Sequence, residues 1–115
     1  MLLSRIRAAL RDRVNLGGGI LVRGRLRVNA AQGQAWVGQR SLKLGRRPLK
    51  MLEVLAGRPG EVVSRAELLE RVWETRYVGF EHSIEQAAYE VRKAIKEPGW
   101  IETVRGIGYR FVTQA

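Results

Sequence analysis

The chain has no cysteine and one histidine in 115 residues. Without thiols there is no disulfide and no zinc–thiolate site, an absence that fits a reducing compartment. His82 has no second histidine or cysteine to share a transition metal, which argues against such a site and for a loop or cap role. No apolar run approaches the roughly 18 residues of a spanning helix, and the opening MLLSRIRAALRDR lacks the apolar core of a secretory signal. A cytoplasmic location without a membrane segment is the expectation. Catalysis also lacks support. Ser64 and Ser83 have no base beside them in sequence, and Gly106-Ile107-Gly108 lies inside a hairpin pattern rather than opening a helix as a nucleotide loop does. No cofactor, metal or enzymatic activity is expected. There is no internal repeat or low-complexity tract, and the length suits one domain with its own core.

Acid is scarce in one half only. Residues 1–60 hold 13 basic and 2 acidic side chains, a balance of +11; residues 61–115 hold 8 and 9, a balance of −1. The excess points to a polyanionic partner, through counterion release from phosphates. It sits, however, in the half that lacks the apparent recognition elements.

Residues 2–14 carry Leu3, Ile6, Leu10 and Val14 on one helical face, with arginines around the rest, and Gly17-Gly18-Gly19 follows as a joint. The segment reads as a linker or packed helix, with a dimer contact or a basic arm as alternatives. Residues 1–19 are thus set apart from a domain over 20–115. Ile20–Val22, Leu26–Val28, Ala35–Val37 and Ser41–Leu44 are short extended pieces separated by tight turns, an antiparallel meander. Its Arg23, Arg25 and Arg27 read as a solvated sheet face.

Leu49, Leu52, Leu55 and Ala56 predict a helix from about Arg46 to Ala56, stopped by Gly57-Arg58-Pro59-Gly60. Glu61–Val63 is briefly extended. Ser64-Arg65-Ala66-Glu67 is a capping box whose helix buries Leu68, Leu69, Val72 and part of Trp73. After a loop over 74–81, Ser83-Ile84-Glu85-Gln86 offers a second capping box. The inner face of that helix is Ile84, Ala88, Val91 and Ile95, which leaves Glu85, Gln86, Tyr89, Arg92, Lys93 and Lys96 outside. Pro98-Gly99 breaks the chain before a hairpin, Ile101–Phe111, with a glycine tip and Arg105 and Arg110 on its arms.

Two helices joined by a short loop, the second facing outward and followed by a β-wing, make a helix-turn-helix variant. The fold class is α+β: an N-terminal antiparallel sheet, a three-helix core and a C-terminal hairpin wing. PLKMLEVLAGRPGEVVSRAELLERVW, SIEQAAYEVRKAI and IETVRGIGYRF together resemble the winged-helix DNA-binding domain of OmpR/PhoB-type transcriptional regulators, with some likeness to the CadC/ToxR branch. The resemblance spans about residues 20–112. It implies double-stranded DNA as partner, with the helix near 83–96 in the major groove and the wing over 101–112 on the minor groove and backbone. It also implies roles: Trp73, Thr103 and Tyr109 on phosphates, Arg92 on phosphate or a base edge, and Arg105 toward the minor groove, where A·T tracts concentrate negative potential. The loop over 74–81 matches the family's transactivation loop, which touches RNA polymerase in some members, and family members often bind DNA as tandem dimers.

The departures fall on the same helix. Ala87, Tyr89 and Glu90 stand where family members often carry basic or polar groups, and His82 replaces a common phosphate-binding arginine. Gly45 takes the place of a threonine cap, an acceptable but weaker one. Glu81, Glu85 and Glu90 offset Arg92, Lys93 and Lys96. Glu90 either accepts from a cytosine amino group or is a solvated residue balanced by Lys93 one turn on. Tyr89 either stacks on sugar or a thymine methyl, or covers a neighbouring helix. Trp73, His82, Gln86, Tyr89, Glu90, Arg92, Lys93, Thr103, Arg105, Tyr109 and Arg110 form the candidate contact set. A winged helix that docks on RNA polymerase or a regulator, with DNA affinity weak or lost, is the alternative from another class. The chain has no room for a receiver domain, so it reads as a small stand-alone regulator or an excised effector domain.

Overall fold

The computed structural model describes residues 20–75 and 81–112. The amphipathic reading of residues 2–14, the glycine joint and most of the 74–81 loop lie outside them.

The first elements form a four-stranded meander: β1 (Leu21–Arg23), β2 (Leu26–Asn29), β3 (Gln34–Val37) and β4 (Arg40–Ser41), each antiparallel to the next. Leu26, Val28, Ala35 and Val37 are buried on one face, the period-two pattern of a sheet covered on one side. Gly24, at φ 60°, turns β1 into β2. A 3₁₀ turn, Ala30–Gln32, is capped by Asn29, whose Oδ1 accepts from Gln32 N–H at 3.1 Å. The last extended piece is shorter than its sequence suggested. Only Arg40 and Ser41 pair, with Val37 and Trp36, while Leu42 turns inward into the core.

Helix α1 (Arg46–Ala56) has the predicted bounds, with Gly45 as its N-cap. Leu49, Met51, Leu52, Leu55 and Ala56 are buried along it. Fully burying each large aliphatic side chain stabilises by about 2 kcal/mol, and a stripe of this kind makes α1 the centre of the core.

Strand β5 (Val62–Ser64) runs directly into α2 (Arg65–Leu68). Ser64 caps that helix, its Oγ accepting from Glu67 N–H at 3.1 Å. The other half of the capping box is used differently. Glu67 turns its carboxylate to Arg71 Nε, at 2.7 Å, and to Arg58. The helix then widens into a π turn over Leu69–Trp73 and ends at Glu74, φ 57°. The N–H groups of Glu74 and Thr75 both reach Leu69 O. A π turn adds a residue to the helical ring, which rotates Trp73 away from the regular α2 register.

Helix α3 (Glu81–Ile95) begins two residues before the predicted Ser83 cap, so Ser83 sits in its first turn rather than at its boundary. Its inner face is the predicted Ile84, Ala88, Val91 and Ile95, joined by Ala87. Lys96, at φ 65°, ends it, with its N–H on Arg92 O.

The C-terminal hairpin, β6 (Ile101–Val104) and β7 (Gly108–Phe111), gains a third strand that its sequence did not announce. β5 pairs with β7 through Val62↔Arg110, Val63↔Tyr109 and Ser64↔Gly108. A Cβ on Gly108 would stand 2.0 Å from Val63 O and 2.9 Å from Ser64 Cα. Glycine is therefore the residue that lets the wing close on the start of α2.

Candidate nucleic-acid interface

The N-terminus of α1, the end of the π turn and the first turns of α3 meet at one cleft, and further along α3 Arg92 reaches the wing. The cleft, of about 400 Å³, is lined by Gly45, Arg47, Pro48, Trp73, His82, Ser83, Gln86, Ala87 and Glu90. Trp73 is 8% exposed, and the Arg47 guanidinium lies 5.7 Å from its ring centroid, a cation–π arrangement. His82 has its side chain 89% exposed beside the same cleft, with Nδ1 3.9 Å from Glu85. Helix α1 opens at Gly45 with no side chain capping it, and Gly45, Arg47 and Pro48 of that end line the cleft, which brings the positive end of the helix dipole to it.

Along α3 the exposed residues are His82, Glu85, Gln86, Tyr89, Glu90, Arg92, Lys93 and Lys96, matching the predicted outer face. Their pairings differ from a simple alternation of charge. Among the described residues no ion pair joins Lys93 to Glu90. The Lys93 ammonium lies 6.0 Å from the ring centroid of Tyr89, a residue 57% exposed. Glu90 instead accepts from Gln86 Nε2 at 3.4 Å. Glu85 faces Arg65 at 3.7 Å.

Arg92 is turned toward the wing. Its guanidinium donates to Ile101 O at 3.0 Å and Thr103 Oγ1 at 2.8 Å. Tyr109 is buried, 2% exposed, with its ring between Arg65 at 5.6 Å and Arg92 at 6.0 Å. Arg92, Thr103 and Tyr109 thus form a latch that fixes the wing against α3. Arg110 pairs with Glu102 directly across the hairpin. Of the two wing arginines, Arg105 is exposed at the tip and, among the described residues, pairs with no carboxylate.

The sequence pattern missed three features. Ile107 is 55% exposed at the tip, and its main chain is held on both sides, N–H to Val104 O at 2.9 Å and C=O from Arg65 N–H at 3.2 Å. Arg47 joins Trp73 from α1. Arg40, in the basic half, caps the C-terminus of α3 by donating to Ala94 O at 2.8 Å and to Ile95 O. A cation at that end is favoured by the helix dipole. A lone arginine on a meander gives no sequence signal for a carbonyl 54 residues away.

The same clamp involves Arg25, which meets Glu97 at 2.6 Å, while Trp100 Nε1 donates to Glu97 at 3.2 Å. These two hydrogen bonds, Arg25 first, hold the Glu97 carboxyl below the usual carboxylate range, and the Glu97 hydrogen bond raises Arg25. Arg27 lies 4.9 Å over Trp36 and donates to Gly38 O at 3.0 Å. The arginine face of the meander, expected as solvated charge, is largely spoken for by the protein itself. Among the described residues, no group of His, Asp and Glu could hold a metal, and no helix is long and apolar enough to cross a membrane.

The family described as "Transcriptional regulatory protein, C terminal" matches residues 38–111. The transcriptional regulatory protein TcrA of Mycobacterium tuberculosis is 33% identical over 90 residues, covering 76% of this chain and 36% of TcrA. The chain therefore spans about a third of that relative's length. The Klebsiella pneumoniae RstA DNA-binding domain, solved in complex with RstA box, superposes with a TM-score of 0.71 at 29% identity, covering 81% of this chain and 96% of that one. The DNA-binding domain of Escherichia coli CadC superposes with a TM-score of 0.71 at 31% identity, covering 83% and 92%. In sequence and in fold, the chain belongs to the transcriptional regulatory protein C-terminal family, the winged helices of OmpR/PhoB type.

Proposed function

We propose that this domain acts in transcriptional regulation by binding double-stranded DNA, with α3 in the major groove and the β6–β7 wing on the adjacent minor groove and backbone. The observation that carries this is the Arg92–Thr103–Tyr109 latch, which holds the exposed face of α3 in fixed relation to the wing that bears the exposed Arg105. A helix and a wing that grip neighbouring grooves need a rigid angle between them, because misplacement of either loses the other's contacts. In this reading Arg47, Trp73, His82 and the open N-terminus of α1 meet one phosphate, while Lys93 meets another and Arg105 enters the minor groove. Arg92, Thr103 and Tyr109 serve mainly as positioning residues, and Arg110 is neutralised by Glu102 until DNA competes for it. The domain works in the cytoplasm without cofactor or catalysis, and pairs of copies occupy repeated sites.

The second reading is a docking module for RNA polymerase or another regulator, and the acidic Glu85 and Glu90 on α3 favour it. Selection from random duplex DNA, followed by titration at two salt concentrations, separates the two. A regulator enriches one motif and binds it on the order of 1,000-fold tighter than random sequence. Weak, sequence-blind binding abolished by moderate salt would overturn DNA recognition in favour of the docking role.

A further inference from the structure

We infer that Gln86 and Glu90 form an acceptor pair that selects exposed amino groups in the major groove, with Glu90 reading a cytosine. The inference deepens the DNA-binding reading above and rests on it. A carboxylate in the middle of a groove-facing helix is a liability unless a donor meets it, since phosphates repel it and its desolvation goes uncompensated. The donor offered by the protein's own charge pattern, Lys93, is engaged at the Tyr89 ring instead. What Glu90 does have is the Gln86 amide, one turn earlier, at 3.4 Å.

That contact fixes the chemistry of the pair. A carboxylate only accepts, so Gln86 must turn its NH₂ toward Glu90. Its Oε1 is then presented as an acceptor, with one N–H left over, beside the two oxygens of Glu90. A surface of this kind fits bases that offer donors. In the major groove those are cytosine N4 and adenine N6; guanine O6 and N7 and thymine O4 present acceptors and are rejected. Adenine carries the N7 acceptor next to its amino group, which suits the amide of Gln86, able both to accept and to donate. Cytosine has no acceptor beside N4 on that edge, which suits the bare carboxylate. Glu90 therefore takes the cytosine, and Gln86 an adenine or cytosine at the neighbouring step. Glu90 is exposed and bears no part of the core, so its replacement leaves the fold in place.

The test is selection and titration with the 115-residue chain and its Glu90→Ala and Glu90→Gln variants. Wild type is expected to enrich a motif containing an invariant C·G pair. Glu90→Ala should lose about tenfold for that motif, a discrimination of the order of one base-edge pairing. Its preference at that single pair should flatten while the others persist. Removing a negative charge should at the same time tighten binding to random DNA. Opposite signs on the two DNAs mark a base reader, because a merely repulsive carboxylate would, on removal, tighten both. Glu90→Gln should retain part of the site but shift the selected base toward adenine. If Glu90→Ala binds motif and random DNA more tightly, with base preferences unchanged at every position, the inference is overturned. If wild type enriches no motif at all, the DNA-binding reading fails first, and the two failures are told apart by the wild-type selection alone.

Discussion

The basic meander and the near-neutral half that follows it use their charges in opposite ways. In the meander, Arg25 is held by Glu97, Arg27 by Trp36 and Gly38, and Arg40 by the last carbonyls of α3. In the second half the charge nearly cancels, yet among the described residues the exposed Arg105 of the wing and Lys93 of α3 form no ion pair. Among the described residues of the basic half, Arg25 and Arg40 brace the end of α3, while the exposed face of α3 and the wing carry few cations. Where a charge sits in the fold outweighs how many share its stretch of sequence.

The comparison breaks most severely at the seam between the two parts of the wing sheet. Gly108→Ala drives a Cβ into the backbone of Val63 and Ser64, and overpacking against main chain that cannot yield costs about 3 kcal/mol. Thermal unfolding should show a drop of more than 10 °C, at roughly 4–8 °C per kcal/mol for a domain of this size. A shift within a degree or two would mean that β5 does not pair with β7 there.

Removing the clamp is the next largest effect. Arg40→Ala takes away two charge-assisted hydrogen bonds at the negative end of α3, and about 2 kcal/mol should go with them. Amide exchange should speed at the last turn of α3, around Arg92 to Lys96, more than at its first. Uniform change along α3, or none, would show that the meander does not hold the helix end.

Acid should gently loosen this clamp and, separately, the Glu67 contacts on α2. Glu97 and Glu67 are both held below the ordinary carboxylate range, Glu97 chiefly by Arg25 and Glu67 chiefly by Arg71. A carboxyl with a depressed folded-state pKa contributes stability that is present above its unfolded value and lost as pH falls through the folded one. Stability should be flat from neutrality to the upper edge of the carboxylate range and decline below it. Arg25→Ala and Arg71→Ala should each flatten that decline by a small, salt-screened amount, since these groups are exposed. An acid limb unchanged in both variants would remove the two carboxylates from the account.

Much of this was legible in sequence. The bounds of α1, the Ser64 cap, the inner face of α3 and the order of elements follow from periodicity and capping, which are local signals. The start of α3 was not, because a serine that satisfies a cap pattern is equally at home in the first turn of a helix. The third strand of the wing was hidden, since Val62–Ser64 is too short to declare a partner some 45 residues ahead. The fate of each arginine was hidden for the same reason, and so was the role of Arg92. An outward position on a helical wheel reads as available for DNA, yet its guanidinium folds back on Ile101 and Thr103.

The central claim is that the side bearing α3 and the wing, and not the arginine-rich meander, meets the phosphates. It is tested most directly by the salt dependence of DNA binding in Arg105→Ala and Arg27→Ala. One cation that neutralises DNA phosphate charge, from the backbone side or from within the minor groove, is worth about one unit in the slope of log K against log salt concentration. The account predicts that Arg105→Ala lowers the slope by about one unit and weakens binding, while Arg27→Ala leaves both unchanged. A full unit lost in Arg27→Ala, with Arg105→Ala indistinguishable from wild type, would contradict it and move the contact to the meander.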